Sequence, residues 1–235
     1  MTTTLITGAN KGLGYETARQ LIAAGHTVYL GCRNSERGQA AAQQLGARLV
    51  QLDVTDDNSV SAAAQLVDEL GGLDVLVNNA GVEGRGENNT VIGAEALTAN
   101  MMREVFDTNV FGAVRVTHAF LPLLQRSSAP VVVNVSSSLG SLSLAASSDS
   151  PTFLYPGVAY PASKSALNMI TVQFAKQFPN MRINAVEPGY TDTDLNGHTG
   201  IQTVEEGARI IVEMAQVAPD GPTGGYSSAH GPIPW

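Results

Sequence analysis

The stretch Thr3-Thr4-Leu5-Ile6-Thr7-Gly8-Ala9-Asn10-Lys11-Gly12-Leu13-Gly14 decides how the rest of the chain is read. Thr3 to Thr7 is short, β-branched and apolar, as a buried strand is. Gly8, Gly12 and Gly14 allow a tight turn and a close backbone approach. From Gly12 the residues suit a helix that runs to Ala24 and is stopped by Gly25. Strand, glycine turn and helix in this order aim unpaired helix amides at an anion, and the spacing suits the pyrophosphate of a dinucleotide. A glycine triplet outside that setting carries little weight.

The alternation continues outward. Strands are predicted at Thr27–Leu30, Arg48–Leu52, Leu73–Val77, Pro130–Val135 and Met181–Val186. Helices are predicted at Glu36–Leu45, from the cap-like Thr55 to about Leu70, at Thr98–Leu124, after Tyr160, and at Val204–Ala218. Pro122 is expected to fray the long helix before its end, and Pro161 suits a first turn. Val131-Val132-Val133 is apolar on both faces, as a fully buried parallel strand is. The expected fold is α/β: one doubly wound, Rossmann-type domain over residues 1–235, with a mostly parallel sheet of about seven strands flanked by helices. Two irregular stretches, Gly81–Leu97 and Ser137–Ala159, follow strand carboxyl ends, where such sheets bind ligands.

Composition narrows the function. The 235 residues are 43% hydrophobic and 14% charged, with a formal net charge of -8. An acidic surface repels nucleic acid and anionic membranes, and no apolar run approaches the ~20 residues of a membrane span. The single cysteine, Cys32, excludes an internal disulfide, and the four histidines lack ligand spacing, so no metal is expected. No signal peptide is read ahead of the first strand, and a cytoplasmic protein is the expectation.

At the end of the second strand, Gly31-Cys32-Arg33 offers no carboxylate for a ribose 2′-hydroxyl. Arg33 instead suits a 2′-phosphate, with Lys11 as a second positive charge, which favours NADP(H) over NAD(H). Both side chains equally suit plain solvent exposure. Asp53 suits an adenine amino group or a cap on the next helix. Tyr160-Pro161-Ala162-Ser163-Lys164 places a phenol and an ammonium on one helix face. A neighbouring Lys⁺ is expected to pull a phenol below its usual value of about 10, which suits proton transfer in carbonyl reduction. That spacing is common. Its companions are Asn78-Asn79-Ala80-Gly81, Asn109, Asn134-Val135-Ser136-Ser137-Ser138-Leu139-Gly140 and Glu187-Pro188-Gly189-Tyr190-Thr191-Asp192-Thr193.

Taken together, these motifs resemble the short-chain dehydrogenase/reductase family over nearly the whole chain, with Lys11 and Arg33 similar to the basic pair of its NADP(H)-preferring carbonyl reductases. The resemblance implies that Tyr160 is the general acid in reduction and the general base in oxidation. It implies that Lys164 lowers the Tyr160 pKa and binds the nicotinamide ribose, and that Asn109 holds a water linking Lys164 to a proton relay. Ser137 would hold the substrate oxygen; Ser136 and Ser138 are one register slip away. It assigns the cofactor to Gly8, Asn10, Lys11, Gly12, Leu13, Gly14, Arg33, Asp53, Val54, Asn79, Ala80, Gly81, Tyr160, Lys164, Pro188, Gly189, Thr191 and Thr193.

Two departures bear on the substrate. Ser141–Gly157 lengthens the loop before Tyr160, and its Phe153, Leu154 and Tyr155 suit a pocket wall or a surface that other members use for dimers. The short run from Gly189 to Val204 implies a short lid and an open pocket. The implied partner is a small carbonyl or alcohol, with monomer and homo-oligomer both open. The rival from another class is a silent dinucleotide sensor, which has no need of Asn109, Ser137, Tyr160 and Lys164 together. His198 reads as a surface loop residue, Cys32 as a small filler, and Gly231–Trp235 as a segment anchored by packing.

Overall fold

The computed structural model describes residues 2–235. Its strands are β1 (Thr3–Thr7), β2 (Thr27–Cys32), β3 (Arg48–Gln51), β4 (Val75–Asn78), β5 (Val131–Val135), β6 (Arg182–Glu187), β7 (Tyr226–Ser228) and β8 (Gly231–Pro232). They form one eight-stranded sheet in the order β3-β2-β1-β4-β5-β6-β7-β8. Every pairing is parallel except the last, β7 with β8. Six strands are those expected; β7 and β8 complete the count beyond the expected seven.

The helices are α1 (Gly12–Ala23), α2 (Ser35–Leu45), α3 (Asp57–Glu69), α4 (Ala99–Phe106), α5 (Ala113–Leu124), α6 (Leu142–Ala145), α7 (Ala159–Gln177) and α8 (Val204–Ala215). They cover both faces, and the period-two side chains of the strands feed two cores. On one side Leu5, Leu76, Val132 and Ile183 meet Val60, Val67, Phe120 and Leu124 of α3 and α5. On the other Ile6, Val77, Val133 and Val186 meet Leu21, Ile210 and Ile211 of α1 and α8. A fully buried side chain of this size contributes roughly 1.5–3 kcal/mol. Local signals agree with the packing: Asn34 caps α2, and Thr203 with Glu206 forms a capping box at α8.

Three local expectations change. The cap of α3 is Asp56, which accepts the Ser59 N–H at 2.7 Å, rather than Thr55. The predicted helix Thr98–Leu124 is α4 and α5 joined by a π-helical segment, Asp107–Gly112. Pro122 lies inside α5, and the helix runs on to Leu124, because a proline in the last turn removes only one bond. The sheet order reverses between β1 and β4, so the carboxyl ends of these strands flank the crevice where doubly wound sheets take ligands.

Candidate active site

At the β1 end, Gly8 (φ 65°) and Gly12 (φ 56°) hold the left-handed conformation that glycine tolerates. Gly14 is needed for space: a Cβ there would lie 2.5 Å from the Asn79 amide nitrogen and 2.8 Å from the Gly8 carbonyl. Asn79 stitches β4 to this turn, donating from its side chain to Thr7 O (2.8 Å) and Gly8 O (3.3 Å). In return Thr7 Oγ1 accepts the Asn79 and Ala80 amides. Gly12, Leu13 and Gly14 open α1, whose cap residue Lys11 makes no side-chain cap bond and whose first turn carries no acid. Such an end suits a pyrophosphate.

The rim around it is polar. Arg33 is exposed beyond β2. Lys11 does not stand free beside it: its ammonium pairs with Asp194, across the crevice. The Thr193 methyl sits 3.7 Å from where a Gly12 Cβ would be, so residues 193 and 194 close over the glycine turn. Asn10 is half-buried in that turn. Asp53 does not cap α3; its carboxylate accepts the Thr55 N–H (3.0 Å) and hydroxyl (2.7 Å). Burial raises its pKa, but those bonds and the Arg33 charge outweigh burial and hold it below the usual value. Val54 is buried against Gly112, and its carbonyl accepts from Arg115.

Further along the sheet edge, the π-helical segment holds Asn109 inward. Its amide donates to Val82 O (2.8 Å) and Ser163 Oγ (3.0 Å), and its oxygen accepts the Val82 N–H (2.8 Å). Gly81 lies beside it, since a Cβ there would sit 3.4 Å from Asn109 Oδ1 and 3.7 Å from Lys164 Nζ. Lys164 is buried, donates to Val135 O at 2.7 Å, and lies 5.4 Å from the Tyr160 ring centre. Burial lowers its pKa to about 8. Ser137 has an extended backbone and its hydroxyl reaches the Tyr160 phenol. Ser136 is buried and donates instead to Asn168 Oδ1 at 2.6 Å, and Ser138 begins a short turn.

The Tyr160 phenol itself behaves contrary to expectation. Burial pushes its pKa up, the negative charges of Glu83 and Glu187 push it further, and only the Ser137 bond pulls it down. The Lys164 ammonium, itself desolvated, donates to the Val135 carbonyl. Tyr160 is therefore held as a protonated phenol.

Loop residues shape this setting: Tyr155, expected as a pocket wall, and Glu83 and Arg85, which the sequence reading missed. The nearly buried Glu83 and Arg85 form a two-point ion pair at 2.9 Å, and Tyr155 donates to Glu83 at 2.5 Å. With the Gly93–Gly157 bridge, they join the two irregular loops. Beside Tyr160 lies a cavity of about 10 Å³, room for roughly one water, lined by Glu83, Arg85, Tyr155, Val158 and Tyr160. The only signal of Glu83 and Arg85 in the sequence is their place in an irregular stretch that follows a strand end.

After β6, Gly189 (φ 85°) turns the chain, and Gln202 donates to the Pro188 carbonyl and to Thr191 Oγ1. Thr191 is buried with its hydroxyl engaged in this turn, so it supports the loop from beneath. His198 is exposed between Asp192 and Asp194, whose carboxylates raise its pKa. Cys32 is buried against Gly38, and burial pushes its thiol up to about 11. Trp235 stacks on Tyr226 at 5.2 Å, and its carbonyl accepts from Ser143. No helix among the described residues is long and apolar enough to cross a membrane.

Comparison with known proteins agrees with this geometry. Residues 2–203 match the short chain dehydrogenase family. The (+)-neomenthol dehydrogenase of Capsicum annuum is 34% identical, over 94% of this chain and 93% of that protein. The (-)-isopiperitenone reductase of Mentha piperita is 37% identical, over 94% of each. The NADPH-bound carbonyl reductase from chicken fatty liver superposes with a TM-score of 0.86 at 27% identity, covering 100% of this chain and 99% of that one.

Proposed function

Because this chain belongs to the short-chain dehydrogenase family and is an oxidoreductase of carbonyl or alcohol groups, we propose that it reduces a ketone or aldehyde with NADPH and that Tyr160 gives the proton. The observation that carries this reading is the convergence of Ser137, Asn109 and the helical pair Tyr160 and Lys164 from three elements at one sheet edge, beside an uncapped helix end. Bound there, the dinucleotide supplies the hydride.

The residues present fit that cofactor. The amides of Gly12, Leu13 and Gly14 hold the pyrophosphate, because they have no side-chain cap. Arg33 binds the 2′-phosphate, and Lys11 joins it on exchanging Asp194 for phosphate; an ion pair this exposed holds by no more than about 1 kcal/mol. Asp53 and Val54 line the adenosine side; Asn79, Ala80, Gly81 and the turn Pro188–Thr193 line the nicotinamide side. Lys164 holds the ribose, for which it exchanges the Val135 carbonyl. Ser137 and Tyr160 hold the substrate oxygen between them. A raised phenol pKa keeps Tyr160 protonated until negative charge develops on that oxygen, when the proton passes to it. Residues 1–235 work as one domain on a small carbonyl substrate.

The test is a panel of aldehydes, ketones and quinones, followed by NADPH absorbance. Turnover on at least one, with NADPH preferred to NADH, is the expected result. Tight NADPH binding without turnover on any member overturns the reading and leaves a dinucleotide sensor.

A further inference from the structure

Two groups outside the four-residue site, the buried Tyr226 and the half-buried Glu187, meet at one peptide bond. The Tyr226 hydroxyl donates to the carbonyl of Ser137, which also accepts the Gly140 N–H at 2.8 Å. The Glu187 carboxylate accepts the Gly189 N–H at 2.9 Å and lies near enough to the Ser138 N–H for that group to favour its ionised form. The Ser137 carbonyl and the Ser138 N–H are the two edges of a single planar unit. They are gripped from neighbouring strands, since β6 and β7 pair in parallel with Glu187 opposite Ser228 and Ala185 opposite Tyr226. We propose that Glu187 and Tyr226 are positioning residues that clamp the Ser137–Ser138 peptide from both sides and so aim the Ser137 hydroxyl at the phenol of Tyr160.

The clamp has a mechanical reason. Ser137 stands just past the end of β5, where the last ladder bond is Ser136 N–H to Val186 O, at 2.7 Å. Beyond it the chain enters a short turn, and a tilt of that peptide would swing the Ser137 side chain away from the phenol. Tyr226 is itself braced: it is buried, and Trp235 stacks on it with ring planes 22° apart. Ser141 and Ser143 donate to the carbonyls of Pro234 and Trp235, which ties the segment to the loop that Ser137 opens. Burial keeps Tyr226 protonated, as a donor must be. Glu187 serves two loops at once, because Gly189 belongs to the turn proposed to cover the nicotinamide.

The clamp rests on the reductase reading above, and the test separates the two. Tyr226→Phe keeps the stacked ring and removes the donor. Glu187→Gln leaves one acceptor oxygen and turns an amide donor toward the second N–H. Each is expected to lower kcat/KM about 10–100-fold, the scale of a slight misplacement of a reacting group, and Tyr226→Phe is expected to leave the Kd for NADPH within about twofold. In a Ser137→Ala background, adding Tyr226→Phe is expected to change the residual rate less than about twofold, because the clamp acts only through Ser137. A purely structural role would cost the same with or without Ser137, and that result overturns the proposal, as does a wild-type kcat/KM in both single variants. A folded wild-type chain with no turnover on any carbonyl refutes the reductase reading instead. Crystal structures of the variants then decide: a Ser137 Oγ displaced by more than about 0.5 Å upholds the clamp, and one left in place overturns it.

Discussion

Gly14 stands in the first turn of α1, where helix propensity alone favours alanine by about 1 kcal/mol. The structure reverses that sign. The new methyl would lie 2.5 Å from the Asn79 amide nitrogen and 2.8 Å from the Gly8 carbonyl oxygen, and only the first of these can swing aside. If Asn79 moves, its bonds to Thr7 and Gly8 are lost, at about 1 kcal/mol each. The approach to backbone adds roughly 1–3 kcal/mol, as overpacking does. Set against the propensity gain, Gly14→Ala is expected to destabilise the chain by about 2–4 kcal/mol. Urea unfolding followed by circular dichroism reads this directly as a fall in midpoint at unchanged slope. In an Asn79→Ala background the same substitution is expected to cost about 2 kcal/mol less, since the two bonds are already gone. A Gly14→Ala chain as stable as wild type, or equal costs in both backgrounds, would refute the reasoning.

Other expectations follow from the site. Lys164→Met is expected to stabilise the protein while abolishing activity: with 1.36 kcal/mol for each pH unit between 10.5 and about 8, burial of the ammonium costs about 3 kcal/mol, against about 1 kcal/mol for the lost bond to Val135. A pKa lowered on folding makes that cost complete below pH 8 and lets it fade toward 10.5, so the gain in Tm shrinks over that range; a Tm below wild type at pH 7 would contradict it. Arg33→Ala is expected to weaken NADPH at least about tenfold, the scale of one lost charge-assisted bond, while NADH affinity is nearly unchanged; equal losses would remove Arg33 from the 2′-phosphate. Glu83→Gln removes a charge that raises the Tyr160 pKa, so the alkaline limb of kcat/KM for reduction is expected to move to lower pH; an unmoved limb would show that Glu83 does not act on the phenol.

Much of this architecture is legible in the sequence because its signals are local. The Thr3–Gly14 stretch carries strand, turn and helix start in twelve residues, and Val131–Val135 declares itself a central strand by being apolar on both faces. The strands β7 and β8 escape notice because they are three and two residues long and built from Tyr, Ser, Gly and Pro, so β7 is ordered by pairing with distant β6 and β8 by pairing with β7. The π-helical segment escapes because inserting one residue into a helix leaves no compositional mark. The phenol shift escapes for another reason. Lys164 is visible from Tyr160 along the helix, whereas Glu83 and Glu187 reach it only through the fold. The same holds for Tyr226, which lies 89 residues from the carbonyl it holds.

The central claim is that Tyr160 delivers the proton during hydride transfer, and a single-turnover measurement with Tyr160→Phe tests it most directly. Enzyme loaded with NADPH is mixed with an accepted ketone, and the decay of nicotinamide absorbance is followed. The account predicts an unchanged Kd for NADPH and hydride transfer slowed by about 10²–10⁴-fold, the usual worth of a positioned acid. Hydride transfer within tenfold of wild type in that variant would contradict it.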